Sequence, residues 1–126
     1  MVAVLHGADP GGFAELFAEN VLRVDHRRGL SAHDIKGREA YVAYMEASLA
    51  TGLTSGAVAP VVAYGDRHAL VRGSWGTGDG IQVDFLMVMV TNDAGQALHM
   101  AHYDPEDEER ALEDVRSRFM AVGDTR

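Results

Sequence analysis

The stretch from Val58 to Tyr103 alternates between apolar and polar residues and is interrupted at short intervals by glycine-rich loops. The alternation predicts four strands: Val58–Tyr64, His68–Trp75, Ile81–Val90 and Gln96–Tyr103. Each intervening segment (65–67, 76–80 and 92–95) is rich in Gly, Asp or Asn, which adopt the positive φ angles of tight turns at low cost. Consecutive hairpins form an antiparallel meander. We therefore predict an α+β fold built around one curved antiparallel sheet.

The third of these strands indicates which side of the sheet faces inward. Its odd-numbered residues are all apolar: Ile81, Val83, Phe85, Met87 and Met89. Its even-numbered residues are polar at the start and apolar later: Gln82, Asp84, Leu86, Val88 and Val90. A face that is apolar throughout is typical of one covered by helices, and a partly apolar face is typical of a protein interface. We expect helices on the first face and a second copy of the chain on the second.

The last hairpin predicts which residues share the inner face. If Asn92 pairs with Gly95, Phe85 lies opposite His102. The inner face then also includes four residues of the last strand: Leu98, Met100, His102 and Asp104.

The preceding hairpin extends this register. Pairing Trp75 with Ile81 puts Trp75 on the inner face and sets Arg72 against Asp84 on the outer face as a cross-strand ion pair. A slip of one residue would exchange the two faces.

Three helices are predicted around the sheet. The first, Pro10–Glu19, precedes a strand at Val21–Arg27. The second, Arg38–Ala50, has a buried stripe at helical spacing: Tyr41, Tyr44, Met45, Ser48 and Leu49. The third, Pro105–Met120, is an additional C-terminal helix, with Asp104 as its N-cap and acidic residues in its first turn.

Composition restricts the function classes. The 126 residues fit one domain, residues 1–126, with 105–120 as its helical extension. A net charge of −8 disfavours nucleic-acid binding, and the absence of cysteine rules out disulfides and thiolate sites. The apolar run Met1–Leu5 is too short for a secretory signal or a membrane span, which predicts a cytoplasmic protein without membrane contact.

Six histidines make a metal site worth testing, but their spacing argues against one. His99 and His102 are three residues apart on a strand, so they point to opposite faces and cannot chelate together. Glycine motifs of nucleotide-binding loops do not occur. We predict neither a metal nor an organic cofactor.

A small polar group is predicted to enter the apolar cavity. The candidate catalytic residues are His102, Asp104 and His26, because an imidazole beside a carboxylate can move a proton on a bound organic molecule. The predicted substrate-binding residues are Tyr44, Trp75, Phe85, Met87 and Met100. Alternatives remain open: His102 hydrogen-bonds only a tyrosine or a carbonyl, Asp104 only caps its helix, and residues 25–28 form a surface ion-pair cluster.

Several short motifs follow one another in a familiar order: Val24-Asp25-His26-Arg27, Gly37-Arg38-Glu39-Ala40, Gly65-Asp66-Arg67, Asp93-Ala94-Gly95 and His102-Tyr103-Asp104. Together they span about residues 13–104. In this order the chain resembles the nuclear-transport-factor-2-like superfamily, a cone fold, and within it the SnoaL-like proteins of actinobacteria. The resemblance implies a hollow cone that commonly dimerises through its outer sheet face.

The same resemblance implies two kinds of function. Some members are cofactor-free polyketide cyclases, isomerases, dehydratases or epoxide hydrolases that use Asp, His and Tyr, and others bind ligands without catalysis. No complete catalytic set of these enzymes is recognisable here. The long first helix of the family is represented only by Val2–His6, so either the chain is cut from a larger protein or helix Pro105–Met120 covers the cone.

Two hypotheses follow. In the first, the protein is an acid–base catalyst of the cyclase, isomerase or dehydratase type acting on a small apolar carbonyl or polyketide-like substrate. In the second, it is a non-catalytic ligand-binding or dimerisation domain of a regulatory protein.

Overall fold

A computed structural model describes residues 14–28, 34–50, 53–77 and 79–123; for Leu49 and residues 53–55 it describes the backbone alone. The strands are β1 (Phe17–Asp25), β2 (Ile35–Lys36), β3 (Leu53–Tyr64), β4 (His68–Thr77), β5 (Gln82–Thr91) and β6 (Ala97–Tyr103). Helix α1 (Arg38–Ala50) precedes β3, and a 3₁₀ turn (Pro105–Asp107) leads into helix α2 (Glu108–Gly123).

The strands form one curved, open sheet in the order β2-β1-β6-β5-β4-β3. The meander from β3 to β6 is antiparallel throughout, so the predicted α+β architecture is confirmed. Gly65 and Gly95 have φ angles of 63° and 79° in two of its turns, a region in which glycine is not strained. At the other side β1 runs parallel to β6, which the local pattern did not reveal.

The predicted helix Pro10–Glu19 is wrong at its C-terminal end, although Ala14 is helical. Residues 10–13 of the predicted helix lie outside the described residues, and its last three residues, 17–19, belong to β1. Pairing with β6 overrides the local helical pattern: Phe17 lies opposite Ala97, and the amide of Ala97 donates to the carbonyl of Leu16 at 2.9 Å. The predicted strand Val21–Arg27 is therefore the second half of a longer strand that ends at Asp25.

The predicted faces of the sheet are confirmed, although the predicted register is wrong by two residues. Met87, not Phe85, lies opposite His102, and Trp75 lies opposite Val83. The last turn is wider than expected, because the amide of Asn92 donates to the carbonyl of Gln96 at 2.9 Å. An even shift keeps Phe85, Met100 and His102 on the predicted inner face. The irregularity after Val90 puts Ala97, and not the predicted Leu98, in the inner core.

The predicted ion pair between Arg72 and Asp84 is not formed. Arg72 lies opposite Leu86, and its Nη2 donates to Oε1 of Glu108 in α2 at 3.3 Å. Asp84 lies opposite Ser74. The two-residue shift moves Asp84 away and leaves Arg72 within reach of the helix.

Each face of the sheet has its own hydrophobic core. The inner core joins α1 to the sheet and contains Phe17, Val21, Tyr41, Met45, Val71, Phe85, Met87, Met89, Ala97 and Met100. The outer core joins α2 to the sheet and contains Leu70, Leu86, Val88, Ala101, Tyr103, Ala111 and Val115. The C-terminal helix therefore lies on the outer face and does not close the cone. It occupies the region that the sequence had assigned to a second subunit.

Contacts at both ends hold α2 against the sheet. Asp104 occupies the N-cap position, but its carboxylate does not cap the helix; it accepts a hydrogen bond from the amide of Arg28 at 2.9 Å. Near the other end Phe119 stacks on Tyr64, with ring centroids 5.4 Å apart, and meets His68 edge-on. In the described part of the chain, neither helix has the length and apolarity to cross a membrane.

Candidate functional site

Helix α1 and the inner face of the sheet enclose a cavity with two chambers. We call the smaller, of about 50 Å³, the apolar chamber, and its lining residues are Phe17, Tyr41, Gly56, Ala57, Val58, Ser74, Trp75, Phe85, Met87, Met89, Met100 and His102. We call the larger, of about 200 Å³, the polar chamber, and its lining residues are Arg23, Arg27, Tyr41, Tyr44, Met45, Ser48, Trp75, Val83 and His102. Tyr41, Trp75 and His102 border both chambers, so the two are adjacent.

Two glycines make room for the aromatic wall of this cavity. Gly56 lies opposite Trp75, and a Cβ atom on Gly56 would come within 2.4 Å of the indole ring. Gly73 lies opposite Phe85, and its Cβ would come within 2.4 Å of the phenyl ring. Each ring therefore lies over a glycine of the neighbouring strand. The two rings stack with centroids 6.4 Å apart.

The end of β1 and the residues after it contribute a charged cluster to the polar chamber. Asp25 accepts from Nη2 of Arg23 at 3.0 Å and from Nε and Nη2 of Arg27 at 2.9 and 2.7 Å. The side chains of Arg23 and Asp25 are only 2% and 1% exposed. Arg23 also lies over the ring of Tyr44, 4.9 Å from its centroid. One buried carboxylate is thus shared by two guanidinium groups.

His102 completes the cluster from β6. Its Nδ1 lies 3.4 Å from Nε of Arg23, which can only donate, so the neutral imidazole carries its proton on Nε2. Burial, reinforced by the charges of Arg23 and Arg27, lowers the pKa of His102 to about 3. The imidazole is therefore neutral at physiological pH.

Two other groups in the site also have pKa values far from pH 7. Burial alone would raise the pKa of Asp25, but hydrogen bonds from Arg27 and the charges of both arginines outweigh it and lower that pKa to about 2. Burial raises the pKa of Tyr41 to about 12. At pH 7 Asp25 is ionised and Tyr41 keeps its proton.

The structure brings together most of the residues that the sequence proposed. All five predicted substrate-binding residues line one or both chambers: Tyr44, Trp75, Phe85, Met87 and Met100. His102 lies on the inner face as expected and is 7% exposed. Tyr44, 38% exposed, and Val83, 42% exposed, lie at the mouth of the polar chamber.

Two predicted catalytic residues do not line the cavity. His26 stacks on Tyr103 of the outer core, with ring centroids 4.8 Å apart, because neighbouring residues of an extended chain point to opposite sides. Asp104 is engaged with the amide of Arg28. Among the residues that line either chamber, neither His26 nor Asp104 occurs.

The sequence interpretation missed Arg23, Asp25, Arg27 and Tyr41 as site residues. The signal was available, because the alternation of the first strand already placed Arg23, Asp25 and Arg27 on one side. Three charges on one side usually indicate solvent, and residues 25–28 were considered as a surface cluster. The buried carboxylate of Asp25 contradicts that alternative. In the four described ranges, no group of His, Asp or Glu residues could hold a metal ion.

Comparisons with known proteins place the fold. No protein-family profile and no curated protein matches the chain. Among solved structures, RV0760c from Mycobacterium tuberculosis is 21% identical with a TM-score of 0.60, over 75% of this chain and 77% of its own. It has also been crystallised in complex with estradiol-17beta-hemisuccinate.

Two further structures are similar at comparable levels. A protein with a ketosteroid isomerase-like fold from Catenulispora acidiphila, in complex with trimethylamine, is 22% identical with a TM-score of 0.55, over 77% of this chain and 75% of its own. A nuclear-transport-factor-2-like protein from Mesorhizobium loti is 24% identical with a TM-score of 0.53, over 75% and 76%. The chain therefore has the nuclear-transport-factor-2-like cone fold that its sequence motifs indicated.

Proposed function

We propose that this protein is a binding domain for a small organic molecule whose apolar body lies in the two-chamber cavity. The observation that supports this most strongly is the cavity itself, which borders apolar and aromatic side chains and has a single polar cluster at one side. Ligand sites commonly combine a mostly apolar lining with a few placed polar groups. Structures of the same fold that hold small organic ligands support the proposal.

The charge states of the cluster favour binding over acid–base catalysis. A general acid or base works best with a pKa near the working pH. The pKa of His102 is about 3, and that of Asp25 is about 2. These groups can orient a ligand by hydrogen bonding, but neither exchanges a proton readily at pH 7.

The test uses a substitution at the cavity mouth. Val83→Phe adds a ring at the entrance of the polar chamber, and Val61→Phe is its matched control, because both valines are 42% exposed and Val61 lines neither chamber. Binding of cyclohexanol, adamantane-1-carboxamide and adamantane-1-carboxylic acid would be measured by calorimetry. We expect 1:1 binding of at least one probe, weakened by Val83→Phe and unchanged by Val61→Phe. No binding, or equal effects of the two substitutions, contradicts the proposal.

A second candidate is proton transfer by His102 on a bound carbonyl compound. One observation favours it: His102 borders both chambers, within reach of a ligand that spans them. Exchange of the α-protons of cyclohexanone in D₂O, followed by NMR, would test it. Catalysis requires exchange above the buffer rate that disappears in His102→Gln, and an unchanged rate excludes this role for the imidazole.

A further inference from the structure

The polar chamber has an unusual charge for this protein. The whole chain carries a net charge of −8, yet the charged residues that line the chamber are two arginines, Arg23 and Arg27. Asp25 is the carboxylate that both contact, and two positive charges against one negative charge leave one positive charge. The neutral His102 and Tyr41 do not alter that balance.

The neighbouring acidic groups do not remove this excess. Asp104 acts electrostatically on Arg27 and keeps its charge when it accepts a hydrogen bond from the Arg28 amide. Its charge and that of Asp107 are balanced by the guanidinium groups of Arg28 and Arg110, both of which pair with Asp107. Asp107 is paired with the guanidinium of Arg28 at 3.0 Å. These groups form a separate set at the start of α2, outside the residues that line the chamber.

The hydrogen bonds of Arg23 are incomplete. Its Nε and Nη2 contact His102, Asp25 and Tyr44, whereas its Nη1 is buried without a hydrogen-bond partner among the described residues. A buried donor that lacks a partner destabilises the folded protein, and the effect is larger when the donor is charged. A ligand acceptor at this position would supply the missing partner and relieve that cost.

We infer that the natural ligand is a monoanion, an apolar molecule with one carboxylate that lies in the polar chamber against Arg23 and Arg27. This inference rests on the proposed function and specifies the chemical class of the ligand. A single carboxylate matches the single excess charge, and its planar oxygens fit the fork of a guanidinium group. The apolar body would extend past Trp75 and Tyr41 towards the apolar chamber.

The experiment compares pairs of probes that differ only in charge. Adamantane-1-carboxylic acid is set against adamantane-1-carboxamide, and cyclohexylacetic acid against cyclohexylacetamide. None of the four absorbs where indole is excited, and Trp75 is the only tryptophan in the chain and lines both chambers. Quenching of its fluorescence at pH 7 therefore reports binding, with calorimetry as the independent measurement.

We expect each acid to bind about tenfold more tightly than its amide, since hydrogen bonds with an ionised partner are roughly twice as strong as neutral ones. Arg27→Met leaves Arg23 and Asp25 balanced and should remove most of that preference. Arg28→Met is the matched control, because it makes the same change in net charge at the next residue, whose side chain is 65% exposed and lies outside the chamber. The control should keep the preference.

The outcomes separate this inference from the proposed function. Equal affinities within each pair, or tighter binding of the amides, overturn the anionic ligand and leave a binding cavity. An equal loss of preference in Arg28→Met also overturns it, because the effect would then come from overall charge. If no probe binds the wild-type protein, the proposed function itself fails.

Discussion

The two faces of this sheet are both buried, but they are buried in different ways. On the outer face Leu70, Leu86, Val88 and Ala101 have no exposed surface and pack directly on Ala111 and Val115 of α2. On the inner face Phe85, Met87 and Met89 retain a little exposure because they border a cavity. Adjacent residues of β5 thus belong to a close-packed core or to a chamber wall. We infer that the outer face mainly stabilises the fold, whereas the inner face serves the ligand binding proposed above.

The largest difference in stability between the faces is expected for the carboxylates that pair with arginine, buried Asp25 on the inner face and partly exposed Asp114 on the outer side. Asp25→Asn leaves two guanidinium groups of the inner face without their ionised partner, and breaking a buried ion pair in this way costs about 3–5 kcal/mol of unfolding free energy. Asp114→Asn on the outer side is the comparison, because Asp114 pairs with the partly exposed Arg118 and accepts from Tyr103. It should cost about 1 kcal/mol. Urea unfolding of both variants decides this, and equal losses contradict the contrast.

The next contrast uses neighbouring residues of β5. Leu86→Ala opens a hole in the packed outer core and should cost about 3 kcal/mol of unfolding free energy, without changing the affinity of an inner-face ligand. Met87→Ala should cost less, because Met87 already borders empty volume and makes fewer contacts to lose. Met87→Ala should instead favour bulkier probes. Denaturant unfolding measures the losses of stability, and calorimetry measures the ligand affinities. A ligand affinity that changes in Leu86→Ala and not in Met87→Ala contradicts this contrast between the faces.

This division explains how much the sequence could predict. The faces of β4, β5 and most of β6 were predicted correctly because alternation has a period of two, so a two-residue error in register does not exchange the faces. The exception is the start of β6, where Ala97 takes the place predicted for Leu98. The same alternation correctly predicted four residues that line the cavity: Trp75, Phe85, Met87 and Met100. Alternation is local information, and the meander contacts are between neighbouring segments of the chain.

The parts that failed depend on contacts between distant segments. Residues 17–19 became strand through pairing with β6, about eighty residues later, which overrides a short helical pattern. The charged cluster was missed for the same reason, because Arg23 is buried only where β1 lies beside His102. The apolar stripe of α2 did not predict which face of the sheet the helix covers, because an amphipathic helix can pack on either apolar face.

A smaller effect is expected from pH. Above pH 6.5 the imidazole of His102 is neutral in the folded and the unfolded protein. Below pH 6.5 the unfolded chain takes up a proton that folded His102, with its pKa near 3, does not, so stability falls by about 1.4 kcal/mol per pH unit. Between pH 6.5 and 5 this amounts to roughly 2 kcal/mol.

The pH effect of the inner face can be separated from that of the outer face. Burial, together with nearby arginines, also lowers the pKa values of His68 and His99, so they contribute in the same direction. His102→Gln should remove about 2 kcal/mol of the stability difference between pH 6.5 and 5 and leave the remainder. Urea unfolding at the two pH values measures it. A pH dependence that is unchanged in His102→Gln would show that the imidazole is not held neutral by the fold.

The smallest expected change in stability is that of Gly73→Ala, and it tests whether the inner face is a working cavity. The new Cβ would lie 2.4 Å from the ring of Phe85, so the ring must move. In a close-packed core, overpacking costs about 1–3 kcal/mol of unfolding free energy, but Phe85 borders the apolar chamber and can shift into it. We therefore expect a loss near 1 kcal/mol, at the low end of that range.

The displaced ring takes up space that a ligand needs, so adamantane probes should bind several-fold more weakly. Unfolding and calorimetry on the same sample compare the two effects. A loss of stability above about 3 kcal/mol with unchanged binding would mean that the ring has nowhere to go, and the inner face would then be a core like the outer one.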